Sequence, residues 1–218
     1  IVKQGIFISL EGDDGAGKTT AARNIKNELE KMGLEVVYTR EPGGSPIAEQ
    51  IRQILLDPAN KAMDAKTEAV LYAASRNQHV KDTILPALQE GKIVLCDRFL
   101  DSSIAYQGYG RKLGADRIEH LNDFVLEGLR PDLTLFFEVS DETGHKRMVS
   151  RGDMNRLDQE SRQFHEDVRQ GFRKIKSNPA NTERIHVVNA EGSVEEVLEQ
   201  SMKIICEFIK SKKDFDHE

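Results

Sequence analysis

A glycine-rich stretch near the beginning of the sequence constrains the fold more than any other feature. Residues 11–20 read Glu-Gly-Asp-Asp-Gly-Ala-Gly-Lys-Thr-Thr and match the pattern G-x-x-x-x-G-K-S/T. Residues 6–10 form a short apolar run typical of a strand, and apolar residues at helical spacing follow the stretch as far as Gly33. We therefore predict a phosphate-binding loop (P-loop) at the bend between a first strand and a first helix. Lys18 would reach the β- and γ-phosphates of a nucleotide, and the Thr19 hydroxyl would ligate Mg²⁺.

The composition is that of one soluble domain. The 218 residues carry a net charge of −6, which argues against a binder of duplex nucleic acid, since such proteins usually present a basic face. The longest apolar runs are far shorter than the roughly 20 residues that a membrane span needs. The two cysteines, Cys96 and Cys206, lie far apart and show no metal-ligand spacing. We expect a single domain over residues 1–218, in a reduced, cytoplasmic protein that binds neither nucleic acid nor membranes.

Strand-like and helix-like segments alternate along most of the chain. Such alternation predicts an α/β fold of the P-loop NTPase type, with three layers and a five-stranded parallel sheet flanked by helices. Ligands bind such sheets at the carboxyl ends of the strands. We also expect a long helix over residues 66–90, kinked at Pro86, whereas residues 99–113 show no regular pattern. The remaining predicted strands cover residues 35–39, 93–96, 133–139 and 184–189.

Two charged features indicate how the P-loop is used. Asp97 ends an apolar strand, where a carboxylate would hold Mg²⁺, and Arg98 beside it can fork onto phosphate oxygens. The alternative is a solvated ion pair at a strand end. Basic side chains also lie on both sides of Gly152, as in a hinged helical lid over about residues 144–160, and here the alternative is a solvated helix face. These basic residues are Lys146, Arg147, Arg151 and Arg156.

The N-K-x-D motif of GTPases is missing from the sequence, so a compact P-loop fold with an arginine-bearing lid favours a small phosphotransferase. Further motifs then resemble the thymidylate kinase family, in the right order and over nearly the whole chain. Besides the P-loop and Asp97-Arg98, these motifs are Thr39-Arg-Glu-Pro-Gly-Gly44, Tyr72-Ala-Ala-Ser-Arg76, Asp101-Ser-Ser-Ile-Ala-Tyr-Gln-Gly108, Arg130-Pro-Asp-Leu-Thr134 and Arg156-Leu-Asp-Gln-Glu160. The resemblance implies ATP-dependent conversion of dTMP to dTDP with Mg²⁺, in a homodimer.

The resemblance also assigns site residues by position. Asp14 would accept a hydrogen bond from the sugar 3′-OH, Tyr72 would stack on thymine, and Tyr106 would face the sugar. The dTMP phosphate is expected at Arg52 and Arg98, with Glu41 near it and near the metal, and the base edge at Arg76, Ser103 and Gln107. Mg²⁺ is expected at Thr19, Asp97 and Glu41. ATP is expected at Gly12, Asp13, Asp14, Gly15, Ala16, Gly17, Lys18, Thr19, Thr20 and Arg147, with the turn at Asn189-Ala190 near the adenine.

Catalysis is expected from positive charge rather than from a general base. A nucleoside monophosphate has a second pKa near 6, so at pH 7 the attacking phosphate is already mostly a dianion. The protein must neutralise and align two phosphate groups that repel each other. Lys18, Arg98, Arg52 and Mg²⁺ are the expected positive charges. Some members of the family carry an arginine directly after the P-loop aspartate, where this chain has Gly15. We therefore expect the lid to supply the last cation, first from Arg156, with Arg151 and Arg147 as helpers.

Each assignment has an alternative at this point. Tyr72 and Tyr106 could be core aromatics, and Gln107 could cap a turn. A related P-loop kinase could act on another acceptor, such as a deoxynucleoside, dUMP or CMP. A protein of another class, a nucleotide-binding module without catalysis, could switch or scaffold a partner. The intact Lys18 and Asp97 argue against that last class.

Overall fold

Five parallel strands form the sheet of the computed structural model, which describes residues 5–152 and 154–215. Their spatial order is β2-β3-β1-β4-β5, and every pairing is parallel, so the predicted α/β fold is confirmed. The first strand lies at the centre of the sheet and carries the P-loop at its carboxyl end. The strands are β1 (Ile6–Gly12), β2 (Val36–Arg40), β3 (Ile93–Asp97), β4 (Leu133–Glu138) and β5 (Ile185–Asn189).

Helices cover both faces of the sheet. They are α1 (Lys18–Lys31), α2 (Pro46–Leu56), α3 (Ala65–His79), α4 (Leu85–Gln89), α5 (Leu100–Ser103), α6 (Ala115–Leu126), α7 (Asp141–Arg151), α8 (Arg162–Ser177) and α9 (Val194–Phe215). In the part of the chain that the structure describes, none of these helices is long and apolar enough to span a bilayer. The predicted capping box opens α9, where Ser193 N–H donates to Glu196 and Glu196 N–H donates to the Ser193 hydroxyl.

Alternate residues of β1 belong to two separate cores. Ile8 and Leu10 are fully buried against α1 and α9, whereas Phe7 is fully buried on the other face, against α3, α4 and α8. On that second face the ring of Phe172, from α8, packs edge-on against Phe136 of β4, with ring centroids 5.2 Å apart. Apolar residues on both faces of a strand are expected where helices cover a parallel sheet on both sides.

The predicted helix over residues 66–90 is interrupted earlier than expected. It breaks in a wide, π-helical turn at Val80–Ile84, and α4 begins directly afterwards at Leu85. Pro86 has no N–H to donate to the carbonyl four residues before it, which makes a regular helix unfavourable at this point. The Leu85 N–H instead reaches the carbonyl of Val80, five residues back.

Residues 99–113, which show no regular sequence pattern, are largely helical. Helix α5 continues into a second π-helical turn, Ile104–Gly110, whose first five residues are buried. The wide turn places Tyr106 and Gln107 in the interior of the molecule, next to the ends of the strands.

Candidate active site

A cavity of about 440 Å³ lies at the carboxyl ends of β1, β2 and β3. The sheet topology brings together the P-loop, the turn after β2 and the Asp97-Arg98 pair after β3, as the parallel arrangement predicts. The predicted site residues that line the cavity are Asp14, Gly15, Gly17, Lys18, Thr19, Thr20, Glu41, Arg52, Tyr72, Arg76, Asp97, Arg98, Ser103, Tyr106, Gln107 and Arg147. Asp13 lines a neighbouring cavity beneath α7, and Gly12 and Ala16 are buried in the loop itself.

The P-loop depends on glycine at two positions of left-handed backbone, Gly15 with φ +77° and Gly17 with φ +81°. A Cβ atom at Gly15 would lie 2.2 Å from the carbonyl oxygen of Gly144 in α7, so a side chain at this position would require α7 to move. A Cβ atom at Gly17 would meet nothing within 4 Å. The backbone at Gly17, at the N-terminus of α1, therefore lies open toward the cavity.

Lys18 is folded back onto the loop that it belongs to. Its ammonium group donates to the carbonyl oxygens of Gly12 and Asp13, at 3.3 and 3.0 Å. Burial and the nearby charge of Arg98 lower the pKa of Lys18 from 10.5 to about 8. These bonds are of the kind that a phosphate group can replace, since an anion offers the ammonium a stronger acceptor than a carbonyl does.

Thr19 and Asp97 meet where a metal ion would be needed. The Thr19 hydroxyl donates to Oδ2 of Asp97 at 3.0 Å, and both residues line the cavity. A hydroxyl and a carboxylate are oxygen ligands of the kind that Mg²⁺ takes in nucleotide sites. The pair fits the predicted metal site.

Asp14 and Arg98 form an ion pair across the cavity, with 2.6 Å between Oδ1 of Asp14 and Nη2 of Arg98. The Tyr106 hydroxyl donates to the other carboxylate oxygen at 2.6 Å. Burial alone would raise the pKa of Asp14, but the charges of Arg98 and Lys18 and the bond from Tyr106 hold it below its ordinary value. Three of the residues assigned to the acceptor sugar and phosphate, Asp14, Arg98 and Tyr106, therefore form one network.

Arg98 owes its position to Glu11, a role that the sequence did not suggest. Arg98 has φ +69°, which is unusual for a residue other than glycine. The fully buried carboxylate of Glu11 holds the segment that follows Arg98. It accepts hydrogen bonds from the N–H of Phe99 (2.8 Å) and from the N–H and hydroxyl of Ser102 (3.3 and 2.5 Å). Ser102 in turn accepts a bond from Nη1 of Arg98 at 3.0 Å. Glu11 thus stabilises both the strained turn and the guanidinium.

Arg76 and Glu41 form a buried pair at the far end of the cavity. Nε of Arg76 donates to Glu41 at 2.7 Å, and Nη1 donates to Ser103 at 3.1 Å and to Asn122 at 2.5 Å. The second carboxylate oxygen of Glu41 lies 3.0 Å from Nδ1 of His79. Both oxygens of Glu41 are therefore engaged, and its predicted contact with a metal stays a prediction.

Gln107 presents one end of its amide to the protein and the other to the cavity. Nε2 donates to the buried carboxylate of Glu68 at 2.9 Å. Oε1 is buried and has no hydrogen-bond partner among the described residues. Tyr72 lines the same part of the cavity, and Glu68, Tyr72 and Arg76 share one face of α3 because they are four residues apart. That spacing was the sequence signal that could have identified Glu68.

The predicted phosphate ligand Arg52 lines the cavity and donates to the carbonyl of Pro42 at 2.6 Å. Arg147, in α7, lines the cavity as well, and its Nη1 donates to the carbonyl of Ala190 at 3.0 Å. The two residues predicted near adenine, Arg147 and Ala190, are thus in contact with each other.

Arg156, the first predicted lid cation, lies outside the cavity. Its buried guanidinium donates to Glu68 at 2.6 Å and to the carbonyl of Leu55 at 2.8 Å, which ties the segment after α7 to α2 and α3. Arg156 is not among the residues that line the 440 Å³ cavity, so a contact with a transferred phosphate would require this segment to move. Its catalytic role stays a prediction. The side chain of Arg151, the second predicted lid cation, is outside the described part of the chain.

A P-loop with an adjacent threonine–aspartate pair, facing arginines across one cavity at the ends of a parallel sheet, defines the class of P-loop kinases that act on small molecules. Comparisons with known proteins narrow the class. The family model for thymidylate kinase matches residues 10–201. The chain is 48% identical to the thymidylate kinase of Bacillus pumilus over 208 residues, which is 94% of this chain and 97% of the relative. It belongs to the thymidylate kinase family.

A second relative and a solved structure indicate the same family. The chain is 53% identical to the thymidylate kinase of Limosilactobacillus fermentum over 199 residues, covering 89% of this chain and 92% of the relative. A crystal structure of thymidylate kinase from Ehrlichia chaffeensis is 34% identical, with a TM-score of 0.73, and the match covers 92% of this chain and 98% of that one.

The environment of Glu11 predicts how stability depends on pH. Burial, and secondarily the charge of Asp101, raises the pKa of Glu11 from 4.5 to about 7. Between these values the folded protein binds more protons than the unfolded chain, so the contribution of Glu11 to the free energy of unfolding falls as pH rises, by up to about 3 kcal/mol. Glu11→Gln keeps an acceptor oxygen for the N–H groups of Phe99 and Ser102, and its NH₂ group can donate to the Ser102 hydroxyl, but this side chain cannot ionise. In urea titrations at pH 5, 6.5 and 8, the wild-type protein should lose more stability with rising pH than Glu11→Gln does.

The control is Glu142→Gln, which removes an exposed carboxylate and should reproduce the wild-type pH dependence. Parallel curves for the wild type and Glu11→Gln would show that Glu11 is ionised throughout this range.

Proposed function

We propose that the protein transfers the γ-phosphoryl group of ATP to the phosphate of dTMP, which gives dTDP and ADP. The observation that carries the proposal is that one cavity holds both halves of such a site. Lys18, Thr19 and Asp97 are suited to the nucleotide phosphates and their metal, while Arg98, Tyr106 and Gln107 are suited to an acceptor nucleotide. Membership of the thymidylate kinase family supports the choice of acceptor.

At the donor end, Thr19 and Asp97 would hold Mg²⁺. Bound there, the ion would neutralise charge on the transferred phosphoryl group. Lys18 would exchange its bonds to the Gly12 and Asp13 carbonyls for bonds to phosphate oxygens, and the open backbone at Gly17 would cradle them. One oxygen of Glu41 already accepts a bond from Arg76 and the other faces His79, whereas Asp97 and Thr19 bond to each other in the cavity, so we propose Thr19 and Asp97 as the primary ligands.

At the acceptor end, Arg98 and Arg52 would hold the dTMP phosphate, and Asp14 and Tyr106 would hold the sugar. Tyr72 would stack on the thymine ring, whose edge carries one N–H donor between two carbonyl acceptors. The unpartnered Oε1 of Gln107 suits the donor, and Arg76 lies beside it for a carbonyl. Because the phosphate is already a dianion, positioning and charge neutralisation are the chemistry that the protein must supply.

We further propose that the chain is a single kinase domain with a lid at about residues 144–160. In the structure this segment comprises most of α7 and the loop toward α8, and it contacts both the P-loop, through Gly144 and Gly15, and α3, through Arg156 and Glu68. A change in the lid would therefore reach the donor and the acceptor ends of the cavity together.

The acceptor assignment is tested by a coupled assay of ADP formation with ATP, Mg²⁺ and a panel of monophosphates. We expect dTMP to be phosphorylated fastest, dUMP more slowly because it lacks the methyl group, and CMP least. Lys18→Met, which removes the positive charge that would face the transferred phosphoryl group, should lower kcat by about 10²–10⁴. If dTMP yields no ADP while ATP still binds, the protein is a nucleotide-binding module rather than a kinase.

The lid arginine is tested by Arg156→Ala. If Arg156 meets the charge of the transition state, kcat should fall by roughly 10²–10⁴. Arg173→Ala, at an exposed position of α8, is the matched control and should leave kcat within about twofold. A near-normal kcat in Arg156→Ala would refute the catalytic role and leave Arg156 as a structural partner of Glu68.

We also propose that the protein is a homodimer. Three neighbouring helices, α2, α3 and α6, expose large apolar side chains, and Phe124 is 85% exposed. An exposed aromatic among further apolar residues is typical of an interface between subunits. Besides Phe124, the exposed apolar residues on these three helices are Ile47, Ile54 and Val70.

Light scattering after size exclusion tests the homodimer. We expect a mass near twice 24.6 kDa for the wild type and a shift toward the single-chain mass for Phe124→Lys, because the interface would then bury a charge without a partner. Met32→Lys adds the same charge at an exposed apolar residue of the opposite sheet face and should stay dimeric. A single-chain mass for the wild type would contradict the proposal.

A further inference from the structure

Glu68 is a fully buried carboxylate to which the proposed mechanism gives no direct part. It lies in the first turn of α3 and accepts hydrogen bonds from three side chains. Gln107 donates to Oε1 at 2.9 Å, Arg111 donates to both oxygens at 2.9–3.2 Å, and Arg156 donates to Oε2 at 2.6 Å. An ordinary structural ion pair would need only the arginines. The bond to Gln107 connects Glu68 to the cavity.

The ionised state of Glu68 decides which way the Gln107 amide faces. Burial alone would raise the pKa of Glu68, but the bonds from Arg111 and Gln107 hold it below its ordinary value. An ionised carboxylate can only accept hydrogen bonds, so the amide must turn its NH₂ group toward Glu68. Its carbonyl oxygen then faces away, and this Oε1 is one of three buried side-chain atoms without a hydrogen-bond partner among the described residues.

An acceptor fixed in a buried site selects the ligand that brings a donor. Gln107 is 1% exposed and lines the cavity with Tyr72 and Arg76, where the acceptor base is proposed to lie. Thymine and uracil carry N–H at N3, whereas cytosine carries a lone pair there. With cytosine, the lone pair at N3 would face Oε1 of Gln107, and neither acceptor would have a donor. Two unpaired acceptors in a desolvated site strongly disfavour binding.

We infer that Glu68 is a positioning residue that sets the base specificity of the acceptor site, because it locks the Gln107 amide with its oxygen toward the cavity. The inference rests on the proposed function only for the place of the base. Glu68 selects bases with an N–H donor at N3 and excludes cytosine, without touching the base. Arg111 and Arg156 keep the Glu68 carboxylate ionised, so a residue separated from the base by the Gln107 side chain determines which hydrogen bond the site can make.

The test is Glu68→Gln, assayed with dTMP and dCMP, which share the sugar and the phosphate. A glutamine at position 68 can offer either an oxygen or an NH₂ group to Gln107, so the Gln107 amide is free to turn over. The ratio of kcat/KM for dTMP to that for dCMP should fall at least about tenfold, mainly because KM rises for dTMP and falls for dCMP. Equal losses for both substrates, with the ratio unchanged, would overturn the inference.

Glu160→Gln is the matched control. Glu160 accepts from Arg111 at 2.6 Å but makes no bond to Gln107, so removing its charge disturbs the same arginine and should leave the ratio at the wild-type value. A similar fall of the ratio in Glu160→Gln would attribute the effect to Arg111 and overturn the role of Glu68.

A second variant covers the case in which Glu68→Gln does not fold. The double variant with Glu68→Gln and Arg156→Gln removes one buried cation together with the anion, and Arg111 retains Glu160 as its partner. Arg156→Gln alone is its reference, and the inference requires a lower ratio in the double variant.

Calorimetric titration with dTMP and dCMP gives the same ratio as dissociation constants, without turnover. If the wild type does not phosphorylate dTMP, the proposed function fails, whereas a dissociation-constant ratio that does not respond to Glu68→Gln overturns the inference.

Discussion

The ion pair between Asp14 and Arg98 is the contact on which the rest of the site depends. It joins the P-loop after β1 to the turn after β3, two segments that the parallel sheet brings side by side. The two side chains are only partly exposed, 19% for Arg98 and 27% for Asp14, so the carboxylate stabilises the neighbouring guanidinium. Glu11 stabilises the strained backbone at Arg98 by accepting from the next N–H, that of Phe99, and Tyr106 donates a hydrogen bond to Asp14. Hydrogen bonds and ion pairs within the protein thus connect the residues of the proposed acceptor site.

The same arrangement recurs around the cavity. Glu41 orients Arg76, Glu68 orients Gln107, and in each case a buried carboxylate fixes the side chain that faces the ligand. A donor or acceptor whose direction is fixed in advance loses little entropy when a ligand binds, and it rejects ligands of the wrong polarity. Lys18 differs, because it rests on the backbone carbonyls of Gly12 and Asp13, which are weaker acceptors than phosphate. Buried carboxylates therefore orient the side chains at the proposed acceptor end, whereas Lys18 at the proposed donor end rests on weaker backbone acceptors.

The features that sequence predicts well are local or follow from topology. Gly12 and Gly17 reveal the P-loop because both have a positive φ, which glycine adopts without strain. Asp97 falls into the site because it ends a buried strand of a parallel sheet. The supports of the site could not be predicted in the same way, since Glu11 and Ser102 are 91 residues apart and Glu68 and Gln107 are 39 apart. The contact of Glu68 with Gln107 also depends on the π-helical turn at Ile104–Gly110, for which the sequence carries no simple period.

The free energy that Arg156 would lose by leaving Glu68 can be compared with the free energy that it would gain at a transferred phosphate. Losing a partner from a buried ion pair costs about 3–5 kcal/mol. A rate gain of 10²–10⁴ from a lid cation corresponds to about 3–5 kcal/mol of transition-state stabilisation. The two are of similar size, so Arg156 could leave Glu68 for a phosphate only if the carboxylate stays paired. Arg111 meets that condition, because it binds both oxygens of Glu68 and is itself held by Glu160. If the proposed lid moves and takes Arg156 with it, Arg111 would keep Glu68 paired and the Gln107 amide in its present orientation.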